Sequence, residues 1–153
     1  MRLLILHVDR FAYTVTDAAR SRLREPVTEP THAVEEGLLA LASVEQVDAA
    51  APDEVAERAA TEIALLAGQL GAVRVVLHPF AHLFGEPSAP AVAVAVLDAT
   101  KVRLEAAGFD VHRSPFGWFT RWDLQAKGHP LSRVGRIVRP AGAAGAEGAR
   151  ETS

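Results

Sequence analysis

The sequence predicts an α/β domain of the α+β kind, a mixed β-sheet with two main helices in a single unit, on three observations. Short runs rich in Val, Leu and Ile alternate with two long segments that carry Pro before them and Gly after. With 153 residues, 49% hydrophobic and 23% charged, the chain can build one core without staples. From Pro140 onward it is mostly Ala, Gly, Glu and Arg, so a folded unit over 1–138 and a disordered tail over 139–153 are expected.

Residues 2–8 form an almost unbroken apolar run, the pattern of a strand buried on both faces. Phe11 to Val15 alternates and is expected to pair back onto that run as a second strand. The stretch from Asp17 to Glu36, with Pro26 and Pro30, reads as an exposed connection. Leu38 to Val44 is a third strand. A helix is predicted from Pro52 to Leu70. Pro52 suits a first helical position, and Asp53 and Glu54 suit the positive end of the dipole. Val55, Ala59, Ile63, Leu66 and Leu70 share one face, and Gly71 stops the helix.

Val73 to His78 is the next strand. Residues 91–107 alternate at first, but their length, Pro90, Gly108 and the polar stripe Asp98, Lys101 and Glu105 decide for helix. Residues 110–112 and 118–126 complete the set as strands. The helices are expected either on one side of the sheet or wrapped around a barrel-like one.

No cysteine occurs, which excludes disulfides, iron–sulfur clusters and thiolate zinc. The first apolar run is too short for a signal peptide or a membrane span, so a cytoplasmic protein with no membrane contact is expected. A net charge of −3 argues against a protein that coats nucleic acid, though not against one that docks a single RNA end.

Candidate chemistry gathers where strands end. Pro79, Phe80, Ala81 and His82 follow a strand, where free backbone N–H groups bind a carbonyl and a histidine moves a proton near neutral pH. The plainer reading makes Phe80 a core plug and His82 a loop cap. Phe116, Gly117, Trp118 and Phe119 offer aromatic faces to stack a base, or simply fill the core. Lys127 and His129 sit in a turn, fit to meet a phosphate or to be solvated. His7 and Asp9 end the first run. Pro79 between His78 and His82 breaks the helical spacing a zinc hydrolase needs, so neither metal nor cofactor is expected.

Leu6-His7-Val8-Asp9, Ser43 to Asp48, Pro79 to Leu83, Ser114 to Trp118 and Lys127 to Leu131 together resemble the N-terminal editing domain of archaeal threonyl-tRNA synthetases, over roughly residues 1–138. The resemblance implies a fold similar to D-aminoacyl-tRNA deacylase and a homodimer. It implies hydrolysis of the ester joining serine to the 3′ end of threonine tRNA, with D-amino acids as a further substrate class. The 2′-hydroxyl of the terminal ribose would assist the attacking water. Carried over by motif, Val44 and Glu45 would lie by the substrate with His7. Pro79, Phe80, Ala81 and His82 would form one pocket wall, and Phe116, Gly117 and Phe119 the other.

His82 and the residue at 120 would carry catalysis, and Lys127 and His129 would meet the tRNA. Two positions depart from the family pattern. Thr120 stands where the family has a lysine, and Arg133 where it has an acid. With the aminoacylating and anticodon-binding parts absent from this sequence, the expected role is editing in trans or beside a threonyl-tRNA synthetase. The alternative is a module that binds the tRNA 3′ end or an amino acid with catalysis impaired.

Overall fold

The structure is a computed structural model; it describes residues 1–142 and the backbone of 150–152. Its strands are β1 (Arg2–Ala18), β2 (Thr31–Ser43), β3 (Arg74–Pro79), β4 (Asp110–Arg113), β5 (Trp118–Ala126), β6 (Arg133–Ile137) and β7 (Arg150–Thr152). Its helices are α1 (Pro52–Leu70) and α2 (Pro90–Ala106). The sheet runs β4-β3-β2-β1-β6-β7, with β5 also paired to β1. β2, β3 and β4 are parallel, as the intervening helices require, and the remaining pairs are antiparallel. The expected mixed sheet with two helices is what forms.

α1 matches its prediction from end to end. Pro52 opens it, Glu54 pairs with Arg58 at 3.3 Å, and Gly71 closes it at φ 67, a left-handed conformation cheap only for glycine. Val55, Ala59 and Ile63 are fully buried against Leu3, Ile5 and Leu38 of the sheet. Both helices contribute to this one core, so they cover one face and do not wrap around the sheet. Burial of each large aliphatic side chain there contributes roughly 1.5–3 kcal/mol.

The opposite face holds a second cluster of Leu6, Val8, Phe11, Tyr13, Leu39, Leu41 and Val76. Here the expectation of two paired strands over 2–15 is corrected. β1 is one strand of 17 residues, and its partner is β2, which begins at Thr31 inside the stretch read as a connection. Val8 pairs with Gly37 and Arg10 with Glu35, leaving Asp9 and Glu36 as an unmatched pair; Glu36 takes φ 49. This double bulge shifts the inward-facing phase, which in sequence looks like a break between two strands. It also bends β1 and β2, so that their outer halves, with β5, fold over the inner face of β3. The bend explains how rings as distant in sequence as Phe11 and His78 reach centroids 5.5 Å apart.

β6 was not expected from sequence. It continues the edge of β1 where β5 leaves it, pairing with Arg2 to Leu6, while β5 pairs with Val8 to Ala18. Of the expected tail, residues 143–149 and 153 lie outside the described ones. Pro140 is buried, Arg139 pairs with Glu45, and β7 pairs with β6.

Candidate functional site

Where β3 ends, Val76, His78 and Phe80 alternate onto the inner face. His78 is only 4% exposed. Its Nδ1 stands 2.8 Å from Ser114 Oγ and its Nε2 3.3 Å from Thr120 Oγ1. Thr120 also accepts the indole N–H of Trp122 at 2.8 Å. Thr120 and Trp122 point inward because they pair with Val15 and Tyr13, which already face the cluster. Trp122 lies against Phe80, with centroids 5.7 Å apart, and Phe80 against His82 at 5.1 Å. Phe80 and Thr120 therefore meet Trp122, whose ring lies 5.4 Å from that of buried His78, and His82 packs on Phe80, a cluster at the end of β3.

Burial, with His112 nearby, lowers the pKa of His78 to about 4, so it is neutral at pH 7. Burial, with His32 next, likewise lowers His112 to about 4. His112 Nε2 sits 2.7 Å from Tyr13 Oη, and its ring stacks on His32 at 3.5 Å. Burial also pushes the Tyr13 phenol up. Tyr13 and His112 line a cleft of 320 Å³ with Lys101, Arg113 and Glu29.

Of the residues expected to share one cavity, the structure brings together Phe80, His82 and Thr120, with half-buried Pro79 and exposed Ala81 beside them. Others stand apart. His7 pairs with Leu38, whereas Pro79 is level with Ala42, a separation of roughly 13 Å at 3.3 Å per residue. His7 also belongs to the helix-facing phase of Leu3 and Ile5. There its Nδ1 meets His129 Nε2 at 2.8 Å, where β5 gives way to β6. Lys127 in the same turn is committed to Asp9 and Glu36, the two bulge residues.

Val44 packs into the helix-side core. Glu45 is buried among cations: the Met1 amino group at 3.3 Å, Arg2 at 3.3 Å, and Arg139. Burial alone would raise its pKa; the Met1 ammonium and Arg139 outweigh it and hold the carboxyl below its ordinary value. Phe116 packs toward the helix side, and its N–H donates to Glu25 at 2.7 Å. Gly117, at φ 94, presses on the backbone of Leu23, so this turn is fastened to the segment after β1. Phe119, 53% exposed, is out of phase with Thr120 and faces away from His78. Position 7 is thus set apart from 80 along the sheet, whereas Val44 closely follows Ala42, whose carbonyl accepts the Phe80 N–H at 2.9 Å, with its own side chain turned to the helix-side core.

Sequence reasoning passed over Tyr13 and Trp122, weighed His78 only as a metal ligand and took Ser114 only as the start of a motif. The signal for His78 was its alternation with Val76 and Phe80. Nothing local pairs it with Ser114 or Thr120. Among the described residues no group of three or more His, Asp or Glu is arranged to hold a metal ion, and no helix is long and apolar enough to cross a membrane.

A family model described as the archaea-specific editing domain of threonyl-tRNA synthetase matches residues 1–138. The chain belongs to that family. It is 42% identical to a threonine–tRNA ligase of Thermococcus onnurineus over 149 residues, 96% of this chain and 24% of the ligase. The ligase of Methanopyrus kandleri is 40% identical over 96% of the chain and 23% of its own length. That of Methanosarcina mazei is 39% identical over 99% and 24%. The chain spans about a quarter of the length of these curated relatives. Its family role is proofreading in tRNA charging.

Proposed function

We propose that this chain hydrolyses wrongly charged aminoacyl-tRNA, foremost serine esterified to the 3′ end of threonine-specific tRNA. The observation that carries the reading is the cluster of Phe80, His82, Thr120 and Trp122 at the end of β3 in a chain of the editing family. The last strand bond there is Phe80 N–H to Ala42 O at 2.9 Å; beyond it the backbone of Ala81 and His82 turns off the sheet, where it can grip the amino acid. His82 is exposed and can exchange a proton with the leaving ribose oxygen or with water. The ribose 2′-hydroxyl assists the attacking water. The protein's share is placement and polar contact, a source of rate that needs few side chains.

In this reading Pro79, Phe80 and Ala81 contact the amino acid. His7, Val44, Glu45, Phe116, Gly117 and Phe119 act through the frame. Lys127 has its charge engaged by two carboxylates, so it and His129 are poor holds for a phosphate. The chain works in the cytoplasm as a homodimer, beside or in place of a synthetase's own editing part.

Purified protein should release serine from seryl-tRNA specific for threonine and spare the threonyl form. No release above the buffer rate from either L-serine or D-amino acid esters rejects the reading. A panel of charged tRNAs separates serine from D-aminoacyl substrates. One observation favours a second reading, a binding module with impaired catalysis: Thr120 and exposed Arg133 replace the lysine and the acid that the family pattern implies. A large gain in rate on Thr120→Lys supports it, and an unchanged or lower rate opposes it.

A further inference from the structure

Between β1 and β2 the chain closes a small loop on itself. Ala19 N–H donates to Gly117 O at 2.9 Å and Glu25 N–H to Phe116 O at 3.0 Å, so both ends of residues 19–25 are pinned to one turn. The Trp118 indole N–H donates to Glu25 O at 2.8 Å, and Leu23 O and the Arg24 backbone lie close over Gly117. Inside the loop Ser21 Oγ donates to Leu23 O at 2.8 Å. The loop's position is therefore set, although it forms no strand.

Exposure alternates along it. Ser21, Leu23 and Glu25 are half-buried, while Arg20, Arg22 and Arg24 are exposed. Neighbouring arginines, two residues apart, have Cα atoms within about 7 Å of each other. Among the described residues none of the three meets a carboxylate. Glu25, the one acid between Asp17 and Glu29, is taken by Arg113 and by the Phe116 N–H.

Other cations around the candidate site are engaged: Lys127 with Asp9 and Glu36, Arg2 and Arg139 with Glu45. In a chain of net charge −3, three unpaired guanidinium groups on one fastened loop make a local positive patch. Each is a planar fork of N–H donors that fits phosphate oxygens. Gly117, beneath Arg24, stands three residues before Thr120, about 10 Å along the chain in extended form.

We propose that the loop of Arg20, Arg22 and Arg24 binds backbone phosphates of single-stranded RNA, holding the nucleotides that precede the aminoacylated one. Phosphate contacts carry no base information, so the loop sets affinity and not which tRNA is taken. The inference rests on the editing reading for where the RNA end points, and places the phosphates on a surface outside the ester site.

Two probes carry serine on a non-hydrolysable 3′-amide: adenosine alone, and an RNA tetranucleotide ending in CCA, which adds internucleotide phosphates. The native protein should favour the tetranucleotide by about tenfold or more at low salt, and the triple variant Arg20→Gln, Arg22→Gln, Arg24→Gln should bind the two within about twofold of each other. The slope of log affinity against log salt for the tetranucleotide should flatten by about 2 in the triple variant and by about 0.7 in each single variant. The single variants carry the test if the triple variant unfolds. Arg103→Gln, another exposed arginine in the last turn of α2, should keep the native preference. A preference for the tetranucleotide that survives the triple variant, or that the native protein lacks, overturns the loop's role. Displacement of the RNA by hexaglutamate at equal concentration assigns the loop to an acidic protein surface and overturns it too. Binding of the uncharged tetranucleotide through the arginines, by a protein that ignores serylated adenosine, supports the loop and overturns the editing reading. No binding of any RNA overturns the loop whatever serylated adenosine does.

Discussion

Val8 and Phe11 stand three positions apart on one strand and point into the same cluster. A regular strand places such residues on opposite faces. The extra residues Asp9 and Glu36, one in each partner, absorb the difference and bend the pair over His78. Deleting Asp9 alone should set every residue of β1 after it against the wrong partner on β2. We expect a loss of 2 kcal/mol or more, on the order seen for disrupted core packing, in a urea melt. Deleting Asp9 and Glu36 together should recover pairing while straightening the strands, with Trp122 fluorescence reporting its separation from His78.

Acid should weaken the fold before the carboxylates titrate. The unfolded chain takes up protons at His78 and His112 near pH 6.5, whereas the folded chain resists until about pH 4. Between those values the unfolded state binds more protons, so stability rises with pH. It is complete above pH 6.5 and is lost as pH falls toward 4, by on the order of 3 kcal/mol for His78. In His78→Asn the stability difference between pH 7 and pH 4.5 should shrink, measured by denaturant unfolding at each pH.

Gly117 combines φ 94 with backbone contact, since an added Cβ would lie 2.6 Å from Leu23 O and 2.9 Å from Arg24 Cα. Gly117→Ala should cost about 2 kcal/mol or more. Gly128→Ala, where nothing lies within 4 Å, should change stability by less than about 0.5 kcal/mol. Equal melting of the two variants contradicts the tight turn.

Asp48 is fully buried, and its Oδ2 meets the Met1 amino group at 2.7 Å and the Glu45 N–H at 2.8 Å. Removing one partner of a buried pair leaves the other charged and unsatisfied. Asp48→Ala should therefore cost roughly 3–5 kcal/mol in thermal unfolding, whereas neutralising the half-buried surface Lys101, paired with Glu105 at 3.4 Å, by Lys101→Met should cost less than about 1 kcal/mol.

α1 was legible because propensity, capping and apolar spacing agree within its own 19 residues. β1 was misread because its phase shift is satisfied by a matching irregularity on β2, which no local window contains. β6 was missed because Arg133–Ile137 holds two arginines and a glycine and draws its order from the free edge of β1. At the candidate site, the motif after β3 led to Phe80 and His82, and the family pattern led to Thr120. His78 stayed hidden because its partners come from β5 and the segment after β4, brought to it only by the bend. His7 was drawn in wrongly since a strand end in sequence, the close of the apolar run at Asp9, is the middle of a strand in space.

The central claim is that the cluster of Phe80, His82, Thr120 and Trp122 receives the amino acid and its ribose. Titrating labelled protein with the 3′-amide of serine and adenosine, and following amide, imidazole and indole resonances, tests it most directly. The account predicts saturable shifts at the Trp122 indole, Thr120, His82 and the Nε2 of His78. Shifts confined to the cleft of Lys101 and Arg113, or to His7 and His129, would contradict it.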